Sequence, residues 1–334
     1  LTLEGKNMTT SDLTLRDVYL ARKRIASMVR KTRLVPSASL SELSGASVYL
    51  KLENLQETGS FKLRGATNKI LSLTAEEQER GVITVSTGNH GRAVSYVARQ
   101  LGVNAVICLS KHVPSNKVEA LKRLGAEIII HGQSYDEAME RATQLQEQRG
   151  LTWVDPFDDP FVIAGQGTIG LELLDDMPDI DTAVVPLSGG GLISGVALAL
   201  KSVAPEIRVI GVSMDRAPVM VHSLRAGAPI EMEEEPTIAD ALAGGIYLDN
   251  QHTFRMVQRY VDETFLLSEQ EIAVGIAFAM EQHRLVVEGG GAVGIAALLH
   301  HRVRELGQKV AVVVSGGNVD SALLATIIKG EFRP

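Results

Sequence analysis

The chain has 334 residues, 45% of them apolar, with 33 Lys and Arg against 40 Asp and Glu and a formal charge of -7. That length suits one large domain or two modest ones with a sizeable core, and the acidic balance lacks the basic footprint of a nucleic-acid reader. The single cysteine, Cys108, excludes an internal disulfide and a multi-cysteine metal site, and no stretch offers the ~18 uncharged apolar residues of a membrane-spanning helix.

Residues 1–7, LTLEGKN, precede Met8 and lack the basic start and apolar centre of a signal peptide. They read as an appended segment or an alternative start, and a cytoplasmic protein is expected. Residues 14–29, TLRDVYLARKRIASMV, have the periodicity of an amphipathic helix, with Ser11 or Thr14 as its cap. SVYLKLEN (47–54) alternates as a half-buried strand does. QETGSFKLRGATNK (56–69) follows and leads into a helix over KLRGATNKIL.

From residue 81 strand and helix alternate: GVITVST then GRAVSYVARQLG, NAVICLS then PSNKVEALKRLG, AEIIIHG then SYDEAMERATQLQEQRG. Cys108, inside the second of these strands, reads as a buried and inert thiol. The rhythm resumes with DTAVVPL, LISGVALALKSVA and RVIGVSM. Helices are then expected over QEIAVGIAFAMEQH and GAVGIAALLHHRVREL, the latter (291–306) carrying His300 and His301 at its surface. KVAVVVSGG is the last strand, and its unbroken valines imply burial on both faces. This is the pattern of an α/β protein with parallel sheets, in two units of unequal size.

Three loops fall at strand ends: STGNHGR (86–92), PLSGGGLISG (186–195) and SGGNVD (315–320). Ligands of open α/β sheets bind there. Gly189, Gly190 and Gly191 permit a sharp turn that exposes backbone N–H groups at the start of a helix, an anion cradle suited to phosphate. The same glycines could serve only a tight turn. Lys62 could be a surface lysine, or a carbonyl-capturing nucleophile beside the flat apolar face of Phe61. A phosphate cradle together with such a lysine suits pyridoxal phosphate. Ser86, Thr87 and Asn89 could hold a carboxylate or cap a helix, His90 could brace that loop, and Ser315 could meet a ring nitrogen or be a turn residue. His112, His131, His222, His252 and His283 are scattered with no metal-ligand spacing, and EMEEE (231–235) reads as a solvated loop.

The ordered motifs KLENLQETGSFKLRGA, STGNHGRAVSYVARQLG, VIAGQGTIGLELL, PLSGGGLISG, TIADALAGG, VEGGGAVGIAALL and VVVSGGNVD resemble those of the fold-type-II pyridoxal-phosphate enzymes, in the serine/threonine dehydratase branch that includes serine racemases. The resemblance covers the chain from about residue 14. It implies a tryptophan synthase beta-like fold of two open parallel α/β domains with the cofactor in the cleft between them. Residues 1–74 with 157–334 would form the large domain and 75–156 a small mobile one. Lys62 would join the cofactor aldehyde, with Phe61 along a cofactor face and Asn89 at its phenolic oxygen. Ser188, Gly189, Gly190, Gly191 and Leu192 would surround the phosphate, and Ser315 would meet the pyridine nitrogen. Ser86, Thr87, Asn89 and His90 would hold the substrate carboxylate. Lys62, freed by the substrate amine, would take the α-proton; water and then ammonia would leave a β-hydroxy amino acid.

Thr87 stands where racemase-like members have a second-face serine, which makes it the candidate for a second acid/base and racemisation doubtful. Ser213, in GVSMDRAPVM, stands where many relatives have a cation-binding glutamate, so no metal site is expected. The chain ends soon after Asp320, and no C-terminal regulatory domain is expected. Within the family the motifs are most similar to dehydratases of hydroxyectoine utilisation. Classical L-threonine/L-serine dehydratase, β-hydroxyaspartate dehydratase and serine racemase are the alternatives, and a non-enzymatic phosphate-ligand binder is the alternative of another class. A homodimer without nucleic-acid or membrane partners is what the family suggests.

Overall fold

The computed structural model describes residues 13–113, 115–303 and 305–334. The predicted features of residues 1–7 and the Ser11 cap lie outside the described residues. The chain begins with α1 (Leu15–Ile25), a short strand β1 (Leu34–Pro36), α2 (Ala38–Ser44), β2 (Ser47–Leu52) and α3 (Lys62–Leu71). Then come α4 (Ala75–Arg80), β3 (Val82–Thr84), α5 (Asn89–Leu101), β4 (Ala105–Leu109), α6 (Ser115–Arg123), β5 (Glu127–Ile130), α7 (Tyr135–Arg149) and β6 (Thr152–Trp153). The long helix α8 (Pro160–Asp176) leads to β7 (Thr182–Pro186), α9 (Gly191–Val203), β8 (Arg208–Met214), α10 (Val219–Ala226), α11 (Thr253–Tyr260) and β9 (Glu263–Leu267). The chain closes with α12 (Glu269–His283), α13 (Gly289–Leu299), β10 (Lys309–Val314) and α14 (Ser321–Ile328).

Two sheets result. One has six strands in the order β1-β2-β10-β7-β8-β9, and the other four in the order β5-β4-β3-β6. Every pairing is parallel except β1 with β2, so the expected parallel architecture gains one antiparallel edge. Pro36 lies in that edge strand, where a residue without an N–H costs least. β10 is central, and Val310, Val312, Val313 and Val314 are wholly buried. Each such valine contributes on the order of 1.5–3 kcal/mol.

Local chemistry sets the ends of the helices. Ser134 caps α7 by accepting from Glu137 N, and Ser268 caps α12 in the same way from Glu271 N. Asp159 caps α8 with Pro160 in its first turn. Two sequence expectations are corrected. α13 begins at Gly289 and stops at Leu299, and His301 adopts a φ of 49°, so the chain leaves the helix before Arg302. Arg302 Nε then reaches Glu271 Oε1 at 2.7 Å, and His300 and His301 are not helical surface residues. β2 is also more than half-buried, because Leu50, Lys51 and Leu52 are all enclosed.

A close helix contact carries Lys62's helix. A Cβ on Gly165 of α8 would lie 2.7 Å from Gly65 Cα and from Arg64 O of α3. Gly165→Ala should therefore push α3 off α8 and lower stability by about 1–3 kcal/mol. A urea titration of the variant checks this; an unchanged midpoint would contradict it.

Candidate active site

The strand ends open onto one cleft of about 1420 Å³ between the two sheets. Phe61, Lys62, Ser86, Thr87, Asn89, His90, Ser188, Gly189, Gly190, Gly191, Leu192 and Ser315 all line it. Residues from four distant motifs are thus neighbours in space.

The loop before α3 is zipped to the loop after β10. Phe61 N donates to Ser315 O (3.0 Å), and Gly317 N donates to Gly59 O (2.9 Å). Asn318 completes the join. Its amide donates to Thr58 O (2.9 Å) and Asn89 Oδ1 (2.6 Å), and it accepts from Arg92 Nη1 (3.0 Å). Asn89 Nδ2 in turn donates to Glu288 Oε1 at 2.6 Å, while Asn318 N donates to Glu288 Oε2 at 3.1 Å. Sequence reasoning did not single out Glu288 or Asn318 as individual residues. Both lie inside quoted motifs, and a carboxylate ahead of a glycine-rich apolar helix was the available signal.

Lys62 opens α3 at the cleft wall. Its ammonium donates to the Pro156 carbonyl at 2.5 Å and lies 5.3 Å from the Phe61 ring centroid. Burial pulls its pKa down to about 8, against an opposing pull from the Asp155 carboxylate. Lys62 is therefore not a solvated surface lysine. His90 is buried, and its pKa is pushed down to about 3 by burial and by the Lys62 charge. The neutral ring's Nε2 donates to Val154 O at 2.9 Å. The imidazole thus braces the loop, and what α5 offers the cleft is the unpaired N–H groups of its first turn. Ser315 Oγ donates to Gly290 O at 3.2 Å.

The glycine turn has no room for side chains. A Cβ on Gly189 would fall 2.5 Å from Cγ of Phe157, and one on Gly191 would fall 2.7 Å from the Phe157 carbonyl. Gly190 has a φ of 89°, in the left-handed region that favours glycine. α9 starts there, with its first N–H groups facing the cleft end of β7. These exposed amides and the helix's positive end fit a phosphate, and the neighbouring low-pKa amine fits an aldehyde. The glycine turn without room for side chains and a lysine lining the same cleft therefore fit pyridoxal phosphate.

A buried charge network lies behind Lys62. Arg64 Nε and Nη2 donate to Glu53 Oε2 and Oε1 at 2.7 and 2.8 Å. Its Nη1 and Nη2 donate to Glu172 Oε1 and Oε2 at 2.7 and 2.8 Å. Lys51 Nζ donates to Glu172 Oε2 at 2.6 Å. Burial alone would raise the Glu53 carboxyl, but the Arg64 guanidinium holds it below its ordinary value. Two cations and two carboxylates thus balance inside the fold, and Arg64 is locked two residues from Lys62.

Cys108 is fully buried, and burial pushes its thiol up to about 11, as an inert residue requires. Ser213 is buried with its hydroxyl 3.4 Å from the Met214 sulfur. Among the described residues no group of three or more His, Cys, Asp or Glu is placed to hold a metal, and no helix is long and apolar enough to cross a membrane.

Comparison with known proteins agrees with the geometry. The family model described as "Pyridoxal-phosphate dependent enzyme" matches residues 25–316. The chain belongs to the pyridoxal-phosphate-dependent enzymes. It is 47% identical over 316 residues to the L-threonine ammonia-lyase of Thermotoga maritima, covering 95% of this chain and 78% of that protein. It superposes on maize serine racemase with a TM-score of 0.89 at 35% identity, covering 95% of this chain and 97% of that one. It superposes on the processed form of threonine deaminase isoform 2 from Solanum lycopersicum with a TM-score of 0.88 at 32% identity, covering 98% of each chain. Within the family the chain is a fold-type-II enzyme of the threonine/serine dehydratase group, ammonia-lyases that act by β-elimination and deamination.

Burial raises the Glu288 carboxyl to about 7, despite the bond from Asn89. The folded enzyme thus holds this proton between about pH 4.5 and 7, where the unfolded chain has released it. Stability contributed by Glu288 should fall as pH rises through that window. Glu288→Gln should flatten this part of the stability profile, measured by urea unfolding from pH 4.5 to 8; an unchanged profile would contradict the assignment.

Proposed function

We propose that this ammonia-lyase removes water and then ammonia from a β-hydroxy amino acid, with Lys62 as the reactive amine. The observation that carries this reading is the placement of a low-pKa lysine in the same cleft as the Gly189–Gly191 turn. Pyridoxal phosphate supplies, when bound, an aldehyde that condenses with amines and a ring that accepts the electrons left by the departing α-proton. Ser188, Gly189, Gly190, Gly191 and Leu192 would hold its phosphate, Phe61 and Asn89 its ring and phenolic oxygen, and Ser315 its ring nitrogen.

Lys62 Nζ, neutral above about pH 8, accepts the α-proton. Ser86, Thr87 and the first N–H groups of α5 hold the substrate carboxylate and fix which face of the α-carbon meets Lys62. Thr87 keeps a hydroxyl for the opposite face, and its added methyl favours elimination over racemisation. Asn89, which lines the cleft, is fixed by donating to Glu288 and accepting from Asn318, so its second Nδ2 hydrogen is the one that would meet the cofactor.

Residues 75–156, which contain the four-stranded sheet, form the small mobile domain in this reading, and 1–74 with 157–334 form the large one. Motif resemblance supports a narrower role, the dehydratase of hydroxyectoine utilisation, and a cytoplasmic homodimer. The test is ammonia and 2-oxo acid release from L-threonine, L-serine, both β-hydroxyaspartate diastereomers and hydroxylated diaminobutyrate. Release from at least one is expected, and from the last if the narrower role holds. No release from any would overturn the reading, and D-amino acid as the main product would make the enzyme a racemase.

A further inference from the structure

A strained residue sits in the wall of the cleft. Among the described residues, Ala217, Tyr247, Arg284 and His301 are the non-glycine residues with a left-handed φ, and of these Tyr247 lines the cleft. Its φ is 60°, a conformation that is unfavourable for a bulky side chain and persists only where the surroundings impose it. Here they do. Asn250 N donates to Tyr247 O at 3.3 Å, and Asn250 Nδ2 donates to Ile246 O at 2.8 Å and to Thr253 Oγ1 at 2.9 Å. Asn250 Oδ1 accepts from Phe254 N at 2.8 Å, so this one side chain ties the Tyr247 turn to the start of α11. Ile246, one residue before Tyr247, is buried in the core.

The imposed turn produces a stack. The Tyr247 ring lies on the Phe157 ring with centroids 4.8 Å apart and planes 20° from parallel, and both residues line the cleft. Phe157 in turn occupies the space that side chains at Gly189 and Gly191 would need. At the middle of the turn, a Cβ on Gly190 would fall 2.9 Å from Thr253 Cβ and 3.1 Å from Val257 Cγ2, both on α11. Three consecutive glycines cannot hold their own backbone, since nothing in them restricts φ and ψ. Their N–H groups keep one direction because Phe157 and α11 confine them. The segment from Tyr247 to Thr253 supports both, through the ring stack on one and through Asn250 on the other.

We propose that Tyr247 is a positioning residue for the cofactor's phosphate: its ring, stacked on Phe157, holds the Gly189–Gly191 turn in the shape that grips the anion. This rests on the reading of that turn as the phosphate cradle. Stability alone does not account for a tyrosine at this position. A left-handed φ favours glycine, and Tyr247 is only half-buried, so what its ring contributes to folding is set against the strain of its backbone. The gain falls on anion binding and not on the stability of the chain. Lys62 is placed by α3 and by the Pro156 carbonyl, so the stack acts on the anionic end of the cofactor and leaves the aldehyde end alone.

The experiment titrates the cofactor-free protein with pyridoxal phosphate and, separately, with pyridoxal, which has the aldehyde but no phosphate, and reads binding from visible absorption. Tyr247→Gly should weaken pyridoxal phosphate by about three- to tenfold, the scale of one aromatic pair, and change pyridoxal by less than about twofold. Its holoenzyme should lose cofactor correspondingly faster on dilution. The urea midpoint of the cofactor-free variant should not fall, because glycine relieves the strain. Tyr247→Phe keeps the ring and should bind both compounds as the wild type does. Unchanged binding of pyridoxal phosphate in Tyr247→Gly, an equal loss for pyridoxal, or a fall in urea midpoint that matches the loss of affinity would overturn the proposal. The second result would place the effect on Lys62, and the third would make the ring a support of the fold. A Tyr247→Phe variant as weak as Tyr247→Gly would assign the effect to the hydroxyl and overturn it too. If the wild type binds pyridoxal phosphate no more tightly than pyridoxal, the cradle reading fails together with the proposal. If the wild type prefers pyridoxal phosphate and Tyr247→Gly keeps that preference in full, the cradle reading stands and the proposal alone fails.

Discussion

Replacing Lys62 by methionine is expected to lower turnover of a β-hydroxy amino acid by at least about 10³-fold, within the range that a positioned proton carrier contributes. The same change should stabilise the protein without cofactor. The Lys62 ammonium is disfavoured by burial, which lowers its pKa from 10.5 to about 8. Between those values the unfolded chain binds a proton that the folded chain has lost, so this group's effect on stability becomes less unfavourable as pH rises from about 8 to 10.5. Its penalty is fully present below about pH 8. Lys62→Met removes it, so the cofactor-free variant should exceed the cofactor-free wild type in urea midpoint at pH 7, and the gap should shrink toward pH 10.5. A less stable variant at pH 7 would show that Lys62 is held by favourable contacts and is not a desolvated amine.

The second large effect belongs to Arg64. Arg64→Met would leave Glu53 and Glu172 facing each other across the buried site, with Lys51 as the remaining cation. Breaking such a network from one side costs about 3–5 kcal/mol. Urea unfolding checks the magnitude, and a loss below about 1 kcal/mol would mean that water reaches the site. The pH dependence has a definite sign. Glu53 is held below its ordinary pKa of 4.5, so the stability it contributes is present above that value and is lost as pH falls through its folded-state pKa. In Arg64→Met this acid sensitivity should weaken. Buried ion pairs seldom outperform apolar packing of the same volume. Here the network joins β2, α3 and α8 around the start of Lys62's helix, so its plainest consequence is where that amine points.

Much of the site was legible before the fold. The Gly189–Gly191 turn announces itself because consecutive glycines between an apolar strand and an apolar helix are a local signal, although the residue that denies Gly189 and Gly191 a side chain, Phe157, is distant in sequence. Strand and helix alternation from residue 81 to 150 was legible for the same reason, since periodicity and glycine stops act over a few residues. The Arg64 network was not. Its partners lie 11 and 108 positions away, and SVYLKLEN read as an ordinary alternating strand while Lys51 was in fact turned into the core. Asn318 was hidden likewise, because its bond to Asn89 spans 229 positions. The end of α13 was misjudged because GIAALLHHRVREL keeps a helical period. What stops the helix is the tertiary bond of Arg302 to Glu271, together with the left-handed turn at His301.

The most direct measurement is a peptide map of the holoenzyme after borohydride reduction, which fixes the cofactor on whichever amine holds it. The mass of the reduced cofactor should appear on Lys62, in the peptide containing Gly59, Ser60 and Phe61, and on no other lysine. A label on Lys51, Lys69 or any other lysine, or a yellow protein whose Lys62 peptide stays unmodified, would contradict the account.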